Sequence, residues 1–373
     1  MSIAAAVFTP ETALLGGLTL GAGAREWREK NQCPETARRP PPPPASSLQS
    51  NLLPPHSAAA GRLALNGRVL GISGIAGGLA RGSFDAPRIA FTAGLLGAGA
   101  LALPASALQT LPASFTLARA LSAGALVGVG SALGGGCTSG HGICGNARLS
   151  GRSAAFTGVM MACGAVAAAA SGARAAVGLA GAAATGAAGL ALAPHAAPAV
   201  GAVAAAARLL AAAVGTLAAL ALAGRARPAA GELVSEAAVG GLFALGLGVS
   251  GMLRPAKVIA FLTPLAPGGW DASLGVVMAG ALAVSVPVFQ RVLGKMRGGG
   301  ATKPACASCY SLPSKTAVDG RLLGGAVLFG AGWGVGGICP GPGLVSAVAG
   351  GGAYVPWCAA FLAAHALTSS VVG

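Results

Sequence analysis

Long apolar stretches occupy most of this chain, and their lengths set the first constraint on its fold. Several approach the roughly 20 residues that a helix needs to cross the hydrocarbon of a bilayer. They run over 3–24, 89–103, 116–136, 153–171, 175–193, 196–224, 232–251, 272–293, 321–339 and 353–371. Two short or interrupted stretches, 63–80 and 256–266, are typical of re-entrant half-helices. We therefore predict an all-α polytopic membrane protein with about nine or ten transmembrane helices plus short re-entrant half-helices.

The composition agrees with a membrane protein and excludes a soluble one. Of the 373 residues, 54% are hydrophobic, a further 62 are glycine, and charged residues fall to 9%. Soluble domains carry about 25% charged residues, so a soluble globule, a disordered chain and a coiled coil are excluded. Aromatic residues make up 4%, and helices rich in Ala and Gly pack closely. We expect a compact bundle with a narrow bore.

The net charge of +15 follows from 24 basic and nine acidic residues. The basic residues occur singly or in pairs between apolar runs, which is typical of cytosolic loops in a multi-pass membrane protein. Several of them are also placed to attract an anion toward a pore. Nucleic acid is not expected as a partner.

Two polar segments interrupt the apolar pattern. The first is a Pro-rich insertion over 25–62, which contains Pro40–Pro44 and favours a polyproline-like or disordered loop. The second is a polar loop over 294–320 that carries a Cys-x-x-Cys pair, Cys306 and Cys309. No second pair accompanies it, so we expect an incidental or regulatory role for these two cysteines.

Short glycine-containing phrases recur along the chain. Gly71–Gly74 is echoed by Gly248–Gly251, and Gly134–Gly140 is echoed more loosely by Gly336–Gly341. Matched interruptions of this kind mark the central site of transporters built from two repeats. We interpret residues 1–373 as one transmembrane transport domain with two repeat regions of inverted topology, 1–230 and 231–373.

The two cysteine phrases carry a family resemblance. Gly134–Gly145 reads GGGCTSGHGICG and Gly330–Leu344 reads GAGWGVGGICPGPGL. These phrases resemble the YeeE/YedE sulphur-transport family, whose members take up thiosulfate. The likeness extends to FTPETALLGG at the N-terminus, to LNGRVLGISGI and to GVSGMLRPAKVIAFL. It covers most of the chain outside the two polar segments.

The resemblance implies a path along which cysteine thiols pass on a sulfur-containing anion, with Cys137 and Cys339 as the matching positions. Some family members carry a further cysteine where this chain has Gly71, and Cys144 is a candidate substitute. The other predicted pathway residues are His141, Ser73, Ser250, Gly136 and Gly337. For His141, a pore donor, a structural part of the turn and a metal ligand all remain open.

The expected function is uptake of thiosulfate or a related small sulfur anion, without a catalytic residue, a resident cofactor or a metal. Its partners would be that anion, the lipid bilayer and, as a candidate, a cytosolic sulfurtransferase. Two alternatives remain at this point. One is a membrane sulfurtransferase with a persulfide-forming cysteine, and the other is a transporter of soft metal ions with Cys and His ligands.

Overall fold

The computed structural model describes residues 58–103, 107–179, 228–266, 270–298 and 303–372, and their regular structure is helical. In chain order the helices are α1 (Ala58–Asn66), α2 (Ile72–Ala80), α3 (Ala86–Ala102), α4 (Leu117–Gly134), α5 (Gly151–Ala170), α6 (Ala173–Ala176), α7 (Pro228–Val249), α8 (Pro255–Leu262), α9 (Ser273–Arg297), α10 (Gly320–Gly336), α11 (Pro340–Ala349) and α12 (Tyr354–Val372). A π-helical turn, Thr138–Gly145, lies between α4 and α5.

Within these ranges, six helical segments are long and apolar enough to cross a membrane. They are Leu117–Gly134, Gly151–Ala170, Ala230–Val249, Ser273–Arg297, Gly320–Ala349 and Tyr354–Val372. The protein is therefore an integral, multi-pass helical membrane protein, as the sequence predicts. The apolar stretches 3–24 and 196–224, and most of 175–193, lie outside the described residues.

The interrupted stretches form short helices, as expected from their length. Residues 63–80 contribute to α1 and α2, which are separated by a break, and 256–266 contributes to α8. The boundary of the Pro-rich insertion differs from the prediction, because α1 begins at Ala58 and Arg62 within it is buried. Residues 58–62 therefore belong to the bundle.

Side-chain caps and left-handed glycines fix the ends of several helices. Asp85, Thr116 and Asp319 each accept a hydrogen bond from the N–H three residues further on, and they begin α3, α4 and α10. Such caps satisfy donors that a helix start leaves without a partner. The central helices α4 and α10 end at Gly135 and Gly337, with φ of 72° and 67°. A left-handed glycine at this position turns the chain out of the helix.

The bundle centres on α4 and α10, which run antiparallel and touch backbone to backbone. A Cβ added to Gly130 would lie 2.3 Å from the Phe329 nitrogen, and one added to Gly332 would lie 2.7 Å from the Ala123 carbonyl oxygen. The residue numbers rise along one helix as they fall along the other. Arg119, at the start of α4, also donates to a carbonyl at the end of α10.

The last described helix, α12, packs in parallel on α4. A Cβ on Gly124 would lie 2.3 Å from the Trp357 carbonyl oxygen, and one on Gly128 would lie 2.5 Å from that of Phe361. In the same way α5 packs in parallel on α10, where a Cβ on Gly330 would lie 2.5 Å from the Met160 carbonyl oxygen. Each central helix is thus covered by a helix from the other half of the chain.

The helices α3 and α7 form a second close pair. A Cβ on Gly94 would lie 1.9 Å from the Ala237 carbonyl oxygen, and one on Gly240 would lie 2.1 Å from that of Phe91. Glycine is required at these positions because the neighbouring backbone occupies the space of a side chain. Close approach of this kind is how small residues hold membrane helices together.

We expect Gly94→Ala to lower the stability of the protein by about 1–3 kcal/mol, because the added methyl group must push α3 away from α7. Gly97→Ala in the same helix is the matched control, since a Cβ there meets no atom within 4 Å. The thermal unfolding midpoint of the detergent-solubilised chain measures the difference. Equal midpoints for the two variants would contradict the close packing of α3 on α7.

Candidate functional site

The break between α1 and α2 is held by a cysteine of the π-helical turn. The Leu70 N–H donates to Cys144 Sγ at 3.3 Å, and Cys144 Sγ donates to the Leu70 carbonyl oxygen at 3.5 Å. Both residues are buried. Since Leu70 engages the Cys144 thiol as donor and as acceptor, this cysteine acts as a clamp on the break. It is not an obvious replacement for a thiol at Gly71.

The start of α2 meets the start of the π-helical turn. The Ile72 N–H donates to Ser139 Oγ at 3.2 Å, and the Ser73 N–H donates to Cys137 Sγ at 3.5 Å. Cys137 Sγ and Ser139 Oγ are 3.2 Å apart. Two backbone donors of a helix N-terminus are therefore satisfied by a thiol and a hydroxyl from the first cysteine phrase.

Cys339 lies on the other side of the same turn. It precedes α11 as its N-cap residue, and its Sγ is 3.4 Å from Thr138 Oγ1. Cys137 is likewise the N-cap residue of the π-helical turn. The structure thus places the Cys339 thiol against Thr138, the residue that directly follows Cys137. Cys137 is buried, and Cys339 is partly exposed.

His141 is buried and both of its ring nitrogens contact protein atoms. Nδ1 is 3.0 Å from Ser153 Oγ and Nε2 is 3.1 Å from the Gly134 carbonyl oxygen. The ring also stacks on Phe156 with a centroid distance of 4.2 Å. A Cβ on Gly136 would lie 2.9 Å from the His141 ring. Both residues therefore serve the structure of the turn, and the geometry gives His141 no free nitrogen for a pore.

The glycine phrases occupy different places in the two halves. Ser73 lies in the first turn of α2, whereas Ser250 follows the end of α7 and donates to the Leu247 carbonyl oxygen at 3.2 Å. Both serines lie near the start of a short helix, Ser73 within α2 and Ser250 five residues before α8. Gly337 is the structural counterpart of Gly135, and its Cβ position lies 2.8 Å from the Pro255 carbonyl oxygen.

Two hydroxyl residues of the first cysteine phrase belong to this cluster although they are not among the predicted pathway residues. Thr138 and Ser139 directly follow Cys137. The Thr138 hydroxyl contacts Cys339, and the Ser139 hydroxyl contacts Cys137. Hydroxyl residues that start a helical turn after a glycine break commonly bond to nearby backbone N–H groups. That local signal was available in the sequence, but their contacts with Cys339 and with α2 depend on the fold.

A buried ion pair links α1 to α7 beside this site. Arg62 Nε is 2.9 Å from Glu236 Oε2, and the side chains are 4% and 0% exposed. A further nitrogen of Arg62 donates to the Val69 carbonyl oxygen at 2.9 Å, within the break that Cys144 clamps. The pair is 174 residues apart in sequence, so sequence periodicity gives no indication of it. The ion pair therefore holds the break between α1 and α2 against α7.

The polar loop 303–319 covers the end of α1. The N–H groups of Ala305 and Cys306 donate to the carbonyl oxygens of Ala64 and Leu65, at 3.0 and 2.7 Å. These bonds satisfy carbonyls that the end of a helix leaves without a partner. At the end of the loop, the Leu322 N–H holds the pKa of the Asp319 carboxyl below its usual value. The loop is thus part of the folded protein.

Across the described ranges, no group of three or more His, Cys, Asp or Glu side chains is arranged to hold a metal ion. The combination of His141 with Cys137 and Cys144, considered from their spacing, is therefore not a metal site in this fold. The sulfur and hydroxyl groups instead bond to one another and to backbone N–H groups.

Comparison with known proteins gives the family. Residues 231–372 match DUF6691, which is described as a family of unknown function. A protein of Xylella fastidiosa strain Temecula1, described as "Probable transporter", is 38% identical over 137 residues, which are 36% of this chain and 86% of the relative. The chain belongs to the same family as this probable transporter. A second protein of that strain with the same description is 43% identical over 103 residues, covering 27% of this chain and 76% of the relative.

The relatives in this family are shorter than the chain. The aligned 137 residues are 36% of this chain but 86% of the first relative, so that relative is less than half as long. A protein of Xylella fastidiosa strain 9a5c, also described as "Probable transporter", is likewise 38% identical over 137 residues, which are 88% of its length. No solved structure matches the chain.

We expect Arg62→Leu to destabilise the protein by up to about 3–5 kcal/mol, because it removes the closest partner of the buried Glu236 carboxylate and leaves Arg68 Nη1 at 3.8 Å from Glu236 Oε1. The double variant Arg62→Leu/Glu236→Leu should recover most of that loss, since it removes both charges. Thermal unfolding in detergent measures both effects.

Arg88→Leu provides the control for this comparison. Arg88 pairs with Asp85 at 3.1 Å, but both side chains are exposed to solvent by a third or more. Exposed pairs contribute about 0–1 kcal/mol, so this variant should unfold close to the parent protein. A single Arg62→Leu variant as stable as Arg88→Leu would show that the pair does not hold α1 on α7.

Proposed function

We propose that the protein is a membrane transporter that takes up thiosulfate or a related small sulfur-containing anion along a path lined by Cys137 and Cys339. One observation carries the proposal: both thiols contact hydroxyls of the same turn, Cys339 Sγ at 3.4 Å from Thr138 Oγ1 and Cys137 Sγ at 3.2 Å from Ser139 Oγ. Each cysteine is the residue at which a glycine-broken helix restarts. Irregular backbone in a membrane bundle is tolerated where protein covers it or where it lines a cavity.

The chemistry of the donors suits such a substrate. Thiosulfate has a soft terminal sulfur and three oxygens, and a thiol S–H is a weak donor. Weak donors placed in succession let an anion bind without being trapped, which conduction requires. The Cys137 sulfur accepts the Ser73 N–H, so its proton remains available for an anion or for Ser139. The thiol and hydroxyl groups of this cluster would thus contact the anion without a charged side chain.

An inverted repeat accounts for the arrangement of the helices. Each half contains, in the same order, a short broken helix, a helix, a central helix that ends at a left-handed glycine, a cysteine-initiated turn and a final helix. The central helices α4 and α10 are antiparallel, and each packs against the final helix of the other half: α4 against α12, and α10 against α5. Two inverted repeats would produce this pattern of contacts. The half-length relatives and the DUF6691 match over 231–372 support this proposal.

Family membership supports the transporter class, and the paired thiols support the substrate class. Transport is preferred to sulfurtransferase activity because the relatives are described as probable transporters. The weak-donor pathway leaves no covalent sulfur on the protein. A persulfide on Cys137 or Cys339, detected by intact mass after turnover, would instead favour the enzyme.

We expect Cys137→Ala and Cys339→Ala each to reduce thiosulfate uptake by about ten- to hundredfold, because a hydrogen bond to a charged ligand contributes about 1.5–3 kcal/mol. The measurement is the initial rate of labelled thiosulfate uptake into liposomes that contain only the purified chain. Thr138→Val, which keeps the shape but removes the hydroxyl, should give a smaller loss.

Cys163→Ala is the matched control, because Cys163 lies in an apolar surface groove between α5 and α10 with Ala162 and Val166. It should transport like the parent chain. Full uptake by both Cys137→Ala and Cys339→Ala would refute the thiol pathway, and no uptake by the parent chain would refute the substrate.

A further inference from the structure

We infer that the Ser73 hydroxyl binds an oxygen of the transported anion, so that the site selects sulfur oxyanions over hydrosulfide. The inference rests on the proposed function and specifies its substrate class. It assigns different tasks to two kinds of donor. The thiols contact the sulfur end of the substrate, and Ser73 contacts its oxygen end.

The first observation is an unsatisfied hydroxyl in the interior. Ser73 is 1% exposed, and its Oγ has no hydrogen-bond partner among the described residues. Buried polar groups in folded proteins are nearly always hydrogen-bonded, and leaving one unpaired costs free energy. A ligand that accepts a hydrogen bond from the Ser73 hydroxyl would remove this cost.

The second observation is the position of this hydroxyl beside the thiols. The Ser73 backbone N–H donates to Cys137 Sγ at 3.5 Å, and Cys137 Sγ is 3.2 Å from Ser139 Oγ. Hydroxyl and thiol donors from α2 and from the π-helical turn therefore lie within one small region. Because Ser73 lies in the first turn of a nine-residue helix, the positive end of the α2 dipole also favours a bound anion.

The third observation is open space beside Gly71, two residues before Ser73. A Cβ added to Gly71 would meet no atom within 4 Å. Gly71 is partly buried, so the break leaves room at the start of α2. By contrast, a Cβ on Gly77 in the same helix would lie 2.1 Å from the His365 ring.

The described breaks of the second half place other groups beside their short helices. Helices α8 and α11 begin with Pro255 and Pro340, and proline has no N–H to donate. Ser250, the sequence echo of Ser73, already donates to the Leu247 carbonyl oxygen. Ser73 is thus the buried, unpartnered hydroxyl whose own backbone N–H donates to one of the two cysteines.

The test uses the purified full chain in liposomes, with labelled thiosulfate as the transported probe. Unlabelled sulfite and unlabelled hydrosulfide are added outside as competitors, so that leakage of hydrogen sulfide through lipid does not enter the readout. In Ser73→Ala, we expect the thiosulfate concentration for half-maximal uptake and the sulfite concentration for half-inhibition each to rise about ten- to hundredfold. The hydrosulfide concentration for half-inhibition should change less than about twofold, because that anion has no oxygen.

Ser122→Ala is the matched control and should leave all three concentrations unchanged, because Ser122 is exposed on α4 and donates to the Arg119 carbonyl oxygen at 3.2 Å. Ser73→Cys keeps a weak donor and should fall between the parent chain and Ser73→Ala, which tests the hydroxyl even if the alanine variant does not fold. Equal weakening of sulfite and hydrosulfide, or no change for sulfite, would overturn the role of Ser73 while uptake by the parent chain stands. Absence of thiosulfate uptake by the parent chain would instead refute the proposed function and this inference with it.

Discussion

Hydrogen bonding of broken backbone inside an apolar bundle is the constraint on which the rest of this structure depends. Each break frees N–H and C=O groups that lipid cannot satisfy. Around α2, the groups that satisfy them are the Cys144 thiol, the Ser139 hydroxyl and the Cys137 thiol. The residues with the most interesting chemistry are therefore also the residues that make the break stable. A change at one of them affects both the fold and the site.

Close backbone packing supplies the rigidity that such a site needs. The chain has few large side chains to interlock, and its helices touch through glycines whose Cβ positions are occupied by the carbonyl oxygens of neighbouring helices. Contacts of this kind fix the distance and the axial register of α4, α10, α5 and α12. They hold Thr138 against Cys339, although these residues belong to different halves of the chain.

The described residues near the two cysteine phrases differ in chemistry between the first and the second half of the chain. The first half provides two thiols, two serines and the N–H groups of α2. The second half provides Cys339, with proline at the start of its short helices. The Arg62–Glu236 pair adds to the difference, because it joins the break of the first half to the first long helix of the second. An anion passing between the halves would meet unlike surfaces.

The sequence by itself determined the membrane class and the approximate places of the breaks, including those at Cys137 and Cys339. These features follow from local properties: the length of an apolar run, and glycine at a left-handed position such as Gly135 or Gly337. The tertiary structure alone decided that the Ser73 N–H donates to Cys137, that the Ser250 hydroxyl donates to the Leu247 carbonyl oxygen and that His141 contacts Ser153. It also decided that Arg62 finds Glu236. These contacts depend on the relative register of helices far apart in sequence, and a chain of repeated Ala and Gly carries little local information about that register.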